Sequence, residues 1–286
     1  MPAPLLFALH LAAQTRRIRL GTAIICLNLH HPVAIAEQVA VADLLTKGRM
    51  AVGFGSGSTP EEFGLFDLAV TDDQERHQRF EDALKLMREF WLDDRSGAGK
   101  TVGYVSGSPG SRRLPFLPTS SADLPARCWL AVNSQGSARI AGTLNFNMLF
   151  SHLRTPEQYR QYCDTYRAAG GTGLVAANRP VFVGRDDESA FEVGLPAVRI
   201  VWRRFQKEGK IAASLREPTR PEELCAHPLN FIVGGPKSVA RQLQELHATV
   251  PFDVANVEVR WAGLSHQAVC ESLSRLMADA MPMFAD

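Results

Sequence analysis

The sequence predicts an α/β fold built around a parallel sheet, and residues 19–66 carry most of that expectation. Ile18 to Cys26 is short, apolar and β-branched, the composition of a strand covered on both faces of such a sheet. Pro32 then opens a helix where a missing N–H costs nothing. Val33, Ala36, Val39, Ala40 and Leu44 recur at helical spacing, which predicts one inward-facing stripe. Lys47-Gly48-Arg49 closes the helix with cations and a glycine suited to an αL cap, and Met50 to Phe54 is the next strand. A strand, a crossover helix and a second strand make a βαβ unit, and parallel pairing follows.

The remaining elements are read in order. Pro2 to Thr15 reads as an amphipathic helix with Leu5, Leu6, Leu9 and Ala12 or Ala13 on one side. Acidic residues at 72–75 start a helix that continues from Arg79 to Trp91, with Phe80, Ala83, Leu84, Met87 and Trp91 at helical spacing. Residues 94–123 are rich in Gly, Ser and Pro and predict a surface excursion or lid, partly hairpin. Arg127 to Val132 is a strand, Asn133 to Ser137 turns into a helix near Ala138, and Phe146 to Phe150 is another strand. Thr155-Pro156-Glu157 starts a helix through Tyr159, Tyr162 and Tyr166 to the Gly170-Gly171 stop. Val175 to Val183 reads as a strand, Asp186 begins a helix reaching about Phe205, and 207–227 reads as loop with little regular structure. Phe231 to Pro236 leads into a helix from Ser238 to His247, and Val254 to Trp261 with Ser265 to Met281 supplies the last strand and helix.

A chain of 286 residues fits a single α/β domain spanning 1–286, since α/β barrels run to about 250 residues without splitting. The balance of 45% apolar and 21% charged residues with net charge +1 points to no nucleic-acid partner. Five cysteines stand far apart with no CxxC pair, which fits reduced thiols in a cytoplasm and gives no metal site. No charged leader precedes an apolar run, and no run approaches the ~20 residues that span a bilayer. A cytoplasmic protein with no membrane attachment is the expectation.

Several motifs resemble the bacterial luciferase-like flavin-dependent monooxygenases. They are T-R-R-I-R-L-G-T-A at Thr15 to Ala23, His31-Pro32, Ala36-Glu37, D-L-L-x-x-G-R at Asp43 to Arg49, and G-x-G-x-G with E-E-F between Gly53 and Phe63. Further matches are Arg79-Phe80-Glu81 through Trp91, F-N-M-L-F-S at Phe146 to Ser151, V-G-G-P-K-S-V-A at Val233 to Ala240, and Val257 to Trp261. The resemblance implies a (β/α)8 TIM-type barrel with a flavin across the carboxyl ends of its strands. It also implies that the first βα units are missing, because roughly six units are visible where a complete barrel has eight. Either the true start lies upstream, or the chain is a shortened member whose opening is covered by a dimer partner or a rearranged N-terminal helix.

Three loops are expected to hold the flavin. Asn133, Ser134, Gly136 and Ser137 precede a helix whose free N–H groups would meet a phosphate. From the residues alone an ordinary Ser N-cap ranks ahead. Gly55, Ser56 and Gly57 form the second loop. In many relatives an arginine stands at Ser56, and one neutral hydroxyl in place of a charged fork lowers affinity for a phosphorylated flavin. Ala23 and Ile24 form the third, lying against the isoalloxazine ring where the family carries a cis peptide between non-proline residues. Phe150 and Ser151 match positions on the other side of the ring. Asn28, His31, Glu62 and Trp261 are placed on the substrate side.

The resemblance implies a flavin-dependent oxidoreductase that uses reduced FMN, as a dissociable co-substrate, and dioxygen to oxygenate a small organic substrate. A separate flavin reductase would supply the reduced flavin. No residue is assigned to catalysis, because the histidine usually given reaction control belongs to the absent first part. Two alternatives stand beside this: hydride transfer with the deazaflavin F420, and a catalytically inactive, shortened flavin-binding or partner subunit. A homodimer is expected through the helix at 33–45, whose Ala34, Ala36, Ala40 and Ala42 allow close approach, and the helix at 2–15.

Overall fold

A computed structural model describes residues 3–57, 60–68, 72–92, 101–103, 113–115, 118, 120–226, 228–250 and 252–285. The chain packs as two compact units: Met1–Met148 with Thr165–Gly173, and Leu149–Asp164 with Leu174–Asp286. In chain order the first elements are α1 (Pro4–Gln14), β1 (Leu20–Cys26), α2 (Pro32–Thr46), β2 (Met50–Gly55), α3 (Pro60–Gly64) and α4 (Asp73–Trp91). A hairpin of β3 (Thr101–Gly103) and β4 (Arg113–Pro115) follows, then β5 (Cys128–Val132), α5 (Gln135–Leu144) and β6 (Asn147–Phe150). α6 (Pro156–Ala168), β7 (Val175–Val183), α7 (Asp187–Lys207), α8 (Pro221–Cys225), β8 (Ile232–Gly234) and α9 (Pro236–Thr249) come next. The chain closes with β9 (Val254–Glu258), α10 (His266–Arg275), one π-helical turn and α11 (Met281–Ala285).

In the first unit β1 pairs with β2 and β2 with β5, all parallel. The β1–β2 register breaks between Thr22 and Ile25, and the peptide between Ala23 and Ile24 in that break is cis. The two strands approach closely because Gly21 and Gly53 lack side chains. A Cβ on Gly21 would stand 2.4 Å from the Ala51 carbonyl oxygen, and one on Gly53 2.4 Å from that of Thr22. The Thr22 hydroxyl fills the remaining gap, accepting from the Gly53 N–H and donating to the Gly53 carbonyl, both at 3.1 Å.

The D-L-L-x-x-G-R run is explained by what it holds. Asp43, 1% exposed, receives Arg127 Nη1 at 2.7 Å and also the Ser121 hydroxyl. Burial opposes the charge on Arg127, but its bonds to Asp43 and Asp123 outweigh that and raise its pKa. Lys47 and Gly48 both take positive φ to end α2. Arg49 then reaches back to the Ala12 carbonyl at 2.9 Å, the Ile18 carbonyl at 3.1 Å and the Thr15 hydroxyl at 3.2 Å, which ties the end of α1 to the start of β1.

In the second unit β7 pairs in parallel with β9 along Ala176–Pro180 and with β8 along Val181–Val183. Both its faces are covered. Phe182 joins Trp202, Phe205, Phe231 and Trp261 in one apolar cluster, whereas Val181 and Val183 pack with Val239, Leu243 and Leu276 in another. Among the described residues no helix is long and apolar enough to cross a membrane.

Several expectations need correction. β1 is not covered on both faces: Thr22 and Ile25 are buried whereas Gly21 and Ala23 are exposed, and among the described residues it pairs only with β2, at the edge of the sheet. On α2 the buried stripe runs through Ile35, Ala36, Val39, Ala40, Ala42, Asp43 and Thr46, while Leu44 is 49% exposed. A capped polar pair at Asp43 and Thr46 displaces the apolar reading there. Ala36 and Ala40 are fully buried within the chain, so they are not available to a partner. On α1 Leu6 and Ala13 turn outward. The stretch 207–227 contains a helix, α8, with Glu223 accepting from the backbone N–H groups of Thr219 and Arg220 at its start. Ser58 and most of 94–123 lie outside the described residues.

Candidate functional site

In the first unit the expected site residues sit where β1, β2 and β5 end. Beyond β1, Asn28 is buried and its amide donates to the carbonyls of Ser56 at 3.0 Å and Arg76 at 2.9 Å. Asn28 therefore fixes the Gly55-Ser56-Gly57 loop against the first turn of α4, and both its N–H groups are used in doing so. Gly57 has φ +80°, and a Cβ there would meet Cys26 Sγ at 2.6 Å and the Phe63 ring at 2.9 Å. At Gly55 a Cβ would meet the Ile24 side chain at 2.1 Å. Both glycines thus serve close packing within the chain. The Ser56 hydroxyl donates to the Gly57 carbonyl at 3.4 Å.

Arg76 was not singled out from the sequence, yet it brings a cation to this corner. Its Nη2 pairs with the exposed Asp73 carboxylate at 3.0 Å, and its buried Nε has no hydrogen-bond acceptor among the described residues. Burial pushes the Cys26 thiol pKa up and Glu62 pushes it further, while Arg76 pulls it down, so all three share one electrostatic neighbourhood. The signal was a spacing on α4: Arg76 lies one turn before the buried Phe80, on the side that faces the loop. Glu62 is exposed on α3, and His31 is the exposed N-cap residue of α2 with no side-chain capping bond.

Beyond β5, Ser134 caps α5 and forms a closed box with Ser137. The Ser134 hydroxyl accepts from the Ser137 N–H at 3.1 Å, and the Ser137 hydroxyl accepts from the N–H groups of Ser134 at 3.1 Å and Asn133 at 3.2 Å. The ordinary N-cap reading is therefore satisfied in full. What remains for a ligand is the backbone of the first helical positions, Gln135 and Gly136, whose N–H groups precede any intrahelical acceptor. Gly136 leaves room there, since a Cβ would meet nothing closer than the Ser134 hydroxyl at 3.7 Å.

In the second unit Phe150 is fully buried, its ring centroid 4.7 Å from that of Tyr159. The Ser151 carbonyl accepts from the Tyr159 hydroxyl, and the Ser151 hydroxyl accepts from the Leu153 N–H at 3.3 Å. Trp261 is a core residue, standing perpendicular to Phe231 at 4.6 Å and donating to the Glu258 carbonyl at 2.8 Å. It also lines a cavity of about 100 Å³ with His152, Arg204, Phe205 and Glu258. His152 is 9% exposed and its Nε2 has no hydrogen-bond partner among the described residues. Burial, helped by Arg179, Arg204 and Lys210, lowers its pKa to about 4. Burial raises that of Glu258, with Arg204 opposing.

The luciferase-like monooxygenase family matches residues 1–251. The oxygenase component of the flavin-dependent trigonelline monooxygenase of Acinetobacter baylyi is 22% identical over 307 aligned positions, covering 100% of this chain and 81% of that protein. The F420-dependent glucose-6-phosphate dehydrogenase of Beutenbergia cavernae is 29% identical over 151 positions, 52% of this chain and 42% of that one. The chain spans less than two thirds of several curated relatives it matches, 64% of one and 52% of another. Among solved structures, the monooxygenase RslO1 from Streptomyces bottropensis superposes with TM-score 0.79 at 20% identity, covering 99% of this chain and 83% of that one. That likeness places the fold with the luciferase-like α/β barrels, and an incomplete barrel is consistent with it.

Proposed function

This chain belongs to the luciferase-like monooxygenase family, and from that premise we propose that it oxygenates a small organic substrate with reduced FMN and dioxygen. Two features carry the reading: Arg76 beside the 55–57 loop, tied to it through Asn28, and the start of α5 beyond the neighbouring strand β5, each suited to part of a phosphate-bearing ring ligand. A buried guanidinium nitrogen without an acceptor and an open helix N-terminus are the two features such a phosphate would satisfy. The N–H groups of Gln135 and Gly136 would hold the phosphate, and Arg76 would supply the charge that Ser56 does not. The backbone at Ala23 and Ile24, in the register break within β1, would orient the ring. Reduced flavin, when bound, supplies the electrons that activate dioxygen. The chain's share is to orient the ring and exclude water around it.

Asn28 positions the loop in this scheme, Glu62 and His31 lie at the exposed rim of the first unit, and Trp261 lines the small cavity of the second. A separate reductase would deliver the reduced flavin, as the trigonelline relative's description as an oxygenase component suggests. The protein would work as a cytoplasmic homodimer through the exposed apolar residues of α1 and α2. Hydride transfer with F420 is the second reading, favoured by the F420-dependent relative.

FMN should bind weakly, and the protein should be isolated largely colourless. Fluorescence titration with FMN, and with F420, then oxygen uptake with chemically reduced FMN, tests the scheme. Reduced FMN consumes dioxygen on its own, so the expected outcome is a flavin reoxidation rate that changes with protein concentration at unchanged total uptake. Tight binding of F420 with none of FMN would transfer the assignment to the hydride reading.

A further inference from the structure

A cavity of about 210 Å³ lies within the second unit, against α9 and near the start of α6. Its walls are apolar at Pro156, Phe231, Ile232 and Leu246, and the charge on its lining comes from Arg179 and Glu245. Arg179 projects from β7 and is only 5% exposed. Its Nη1 donates to the Tyr159 hydroxyl and to the Asn178 carbonyl, both at 2.8 Å, and its guanidinium lies 5.0 Å from the Tyr159 ring centre. Both hydrogens of Nη1 are thus used, on neutral acceptors. Among the described residues no carboxylate pairs with Arg179 and its hydrogen bonds run from Nη1; Nε and Nη2 are not among the buried polar atoms left without a partner, so that edge of the guanidinium is open to water or a ligand.

A buried cation without a counter-charge is costly, and proteins ordinarily pair it. Tyr159 is not a counter-charge: burial raises its pKa, so it stays a neutral phenol. Cys225, on the same lining, is exposed as a residue, but desolvation around its thiol raises its pKa, and it donates to Gln242 Oε1 at 3.0 Å. A single negative charge would complete this site, beside a volume lined by Phe231, Ile232 and Leu246 on one part and by the neutral polar side chains of Asn230, Gln242 and Thr249 on another. The free edge of the guanidinium, Nε with Nη2, is the fork that receives the two oxygens of a carboxylate. The volume exceeds the roughly 150 Å³ of an engineered cavity that accepts benzene. Glu245, exposed but on the same lining, disfavours a ligand with a second negative charge.

We propose that this cavity is a binding site for a small monocarboxylate with an apolar body. Its carboxylate would pair with Arg179 and its body would lie against Phe231, Ile232 and Leu246.

The test uses the full chain without flavin and reads binding by calorimetry and ligand-observed NMR. Benzoate and butyrate are the probes, with benzamide and inorganic phosphate as controls. Benzoate or butyrate should bind, benzamide at least about tenfold more weakly, and phosphate more weakly than either acid. Arg179→Met should lower the carboxylate affinity by at least about tenfold, the scale of a lost charge-assisted pair, and Arg179→Lys should recover part of it. Leu246→Trp fills the cavity from α9 while Arg179 itself is kept and should block the acids as well, so a fold defect in the Arg179 variants leaves the test intact. The proposal is overturned by no binding of either acid, by benzamide matching benzoate, by phosphate binding more tightly, or by carboxylate binding unchanged in both Arg179→Met and Leu246→Trp.

Discussion

His152 shows how far burial can outweigh the ordinary behaviour of a side chain. Its ring lies between Phe205 at 6.0 Å and Phe231 at 5.9 Å, with three cations contributing repulsion, and it stays neutral down to about pH 4. The unfolded chain takes up this proton near pH 6.5 and the folded chain near 4. Below pH 6.5 the unfolded state therefore binds more protons, and stability falls as pH falls through that window, levelling off below about 4. The contribution is on the order of 3 kcal/mol across the window. Denaturant titrations from pH 7.5 to 4 should show His152→Phe losing less stability on acidification than the wild type. Parallel curves for the two proteins would remove the assignment. From the sequence His152 was only the residue after a strand, because burial by α7 and by the approach to β8 is long-range information.

At the scale of elements, α5 illustrates what local sequence did make legible. Ser-x-x-Ser before an apolar run predicts an N-cap, and that is the bond pattern found. The hydroxyls expected to meet phosphate are both engaged in that cap. Ser134→Ala should accordingly destabilise the fold by about 1 kcal/mol. FMN and riboflavin should be weakened about equally by it. Arg76→Met should weaken FMN by about 1.5–3 kcal/mol, the scale of a bond to a charged group, and leave riboflavin nearly unchanged. Flavin fluorescence titrations of both variants decide it; equal losses for the two ligands in Arg76→Met would place Arg76 outside the phosphate site. The strands β1, β2, β5 and β7 were legible because apolar runs bounded by Gly, Pro and Asn have few other readings. The α2 face was misjudged because a buried Asp43–Arg127 pair, invisible to any hydropathy pattern, turns Leu44 outward.

At the scale of the whole molecule, the consequence of that turn is an apolar surface on the first unit. Leu6 at 68%, Phe7 at 47%, Leu44 at 49% and Leu45 at 69% are exposed on α1 and α2, helices that contact one another. Exposed apolar side chains on two touching helices are what the proposed homodimer would cover. Leu44→Glu and Leu45→Glu, each made alone, should shift a sedimenting dimer to monomer while leaving the circular dichroism spectrum intact. A wild type that sediments as a monomer at micromolar concentration would refute the homodimer. The alanines that first suggested this helix, Ala36 and Ala40, are poor probes, because a charge at either would be buried inside the chain.

The run from Asp43 to Arg49 has a bearing on how such sequences drift. Asp43 neutralises a buried arginine, Gly48 ends a helix and Arg49 holds α1 to β1; Gly21 and Gly53 let two strands touch. None of these duties requires a reaction. Selection for a foldable chain alone would keep them in a descendant that had traded its substrate, its flavin or its chemistry for something else. The most recognisable letters of this sequence therefore record ancestry, and the uses proposed above rest on quieter ones: Arg76 beside the loop, Ser56 within it, and Arg179 at its cavity.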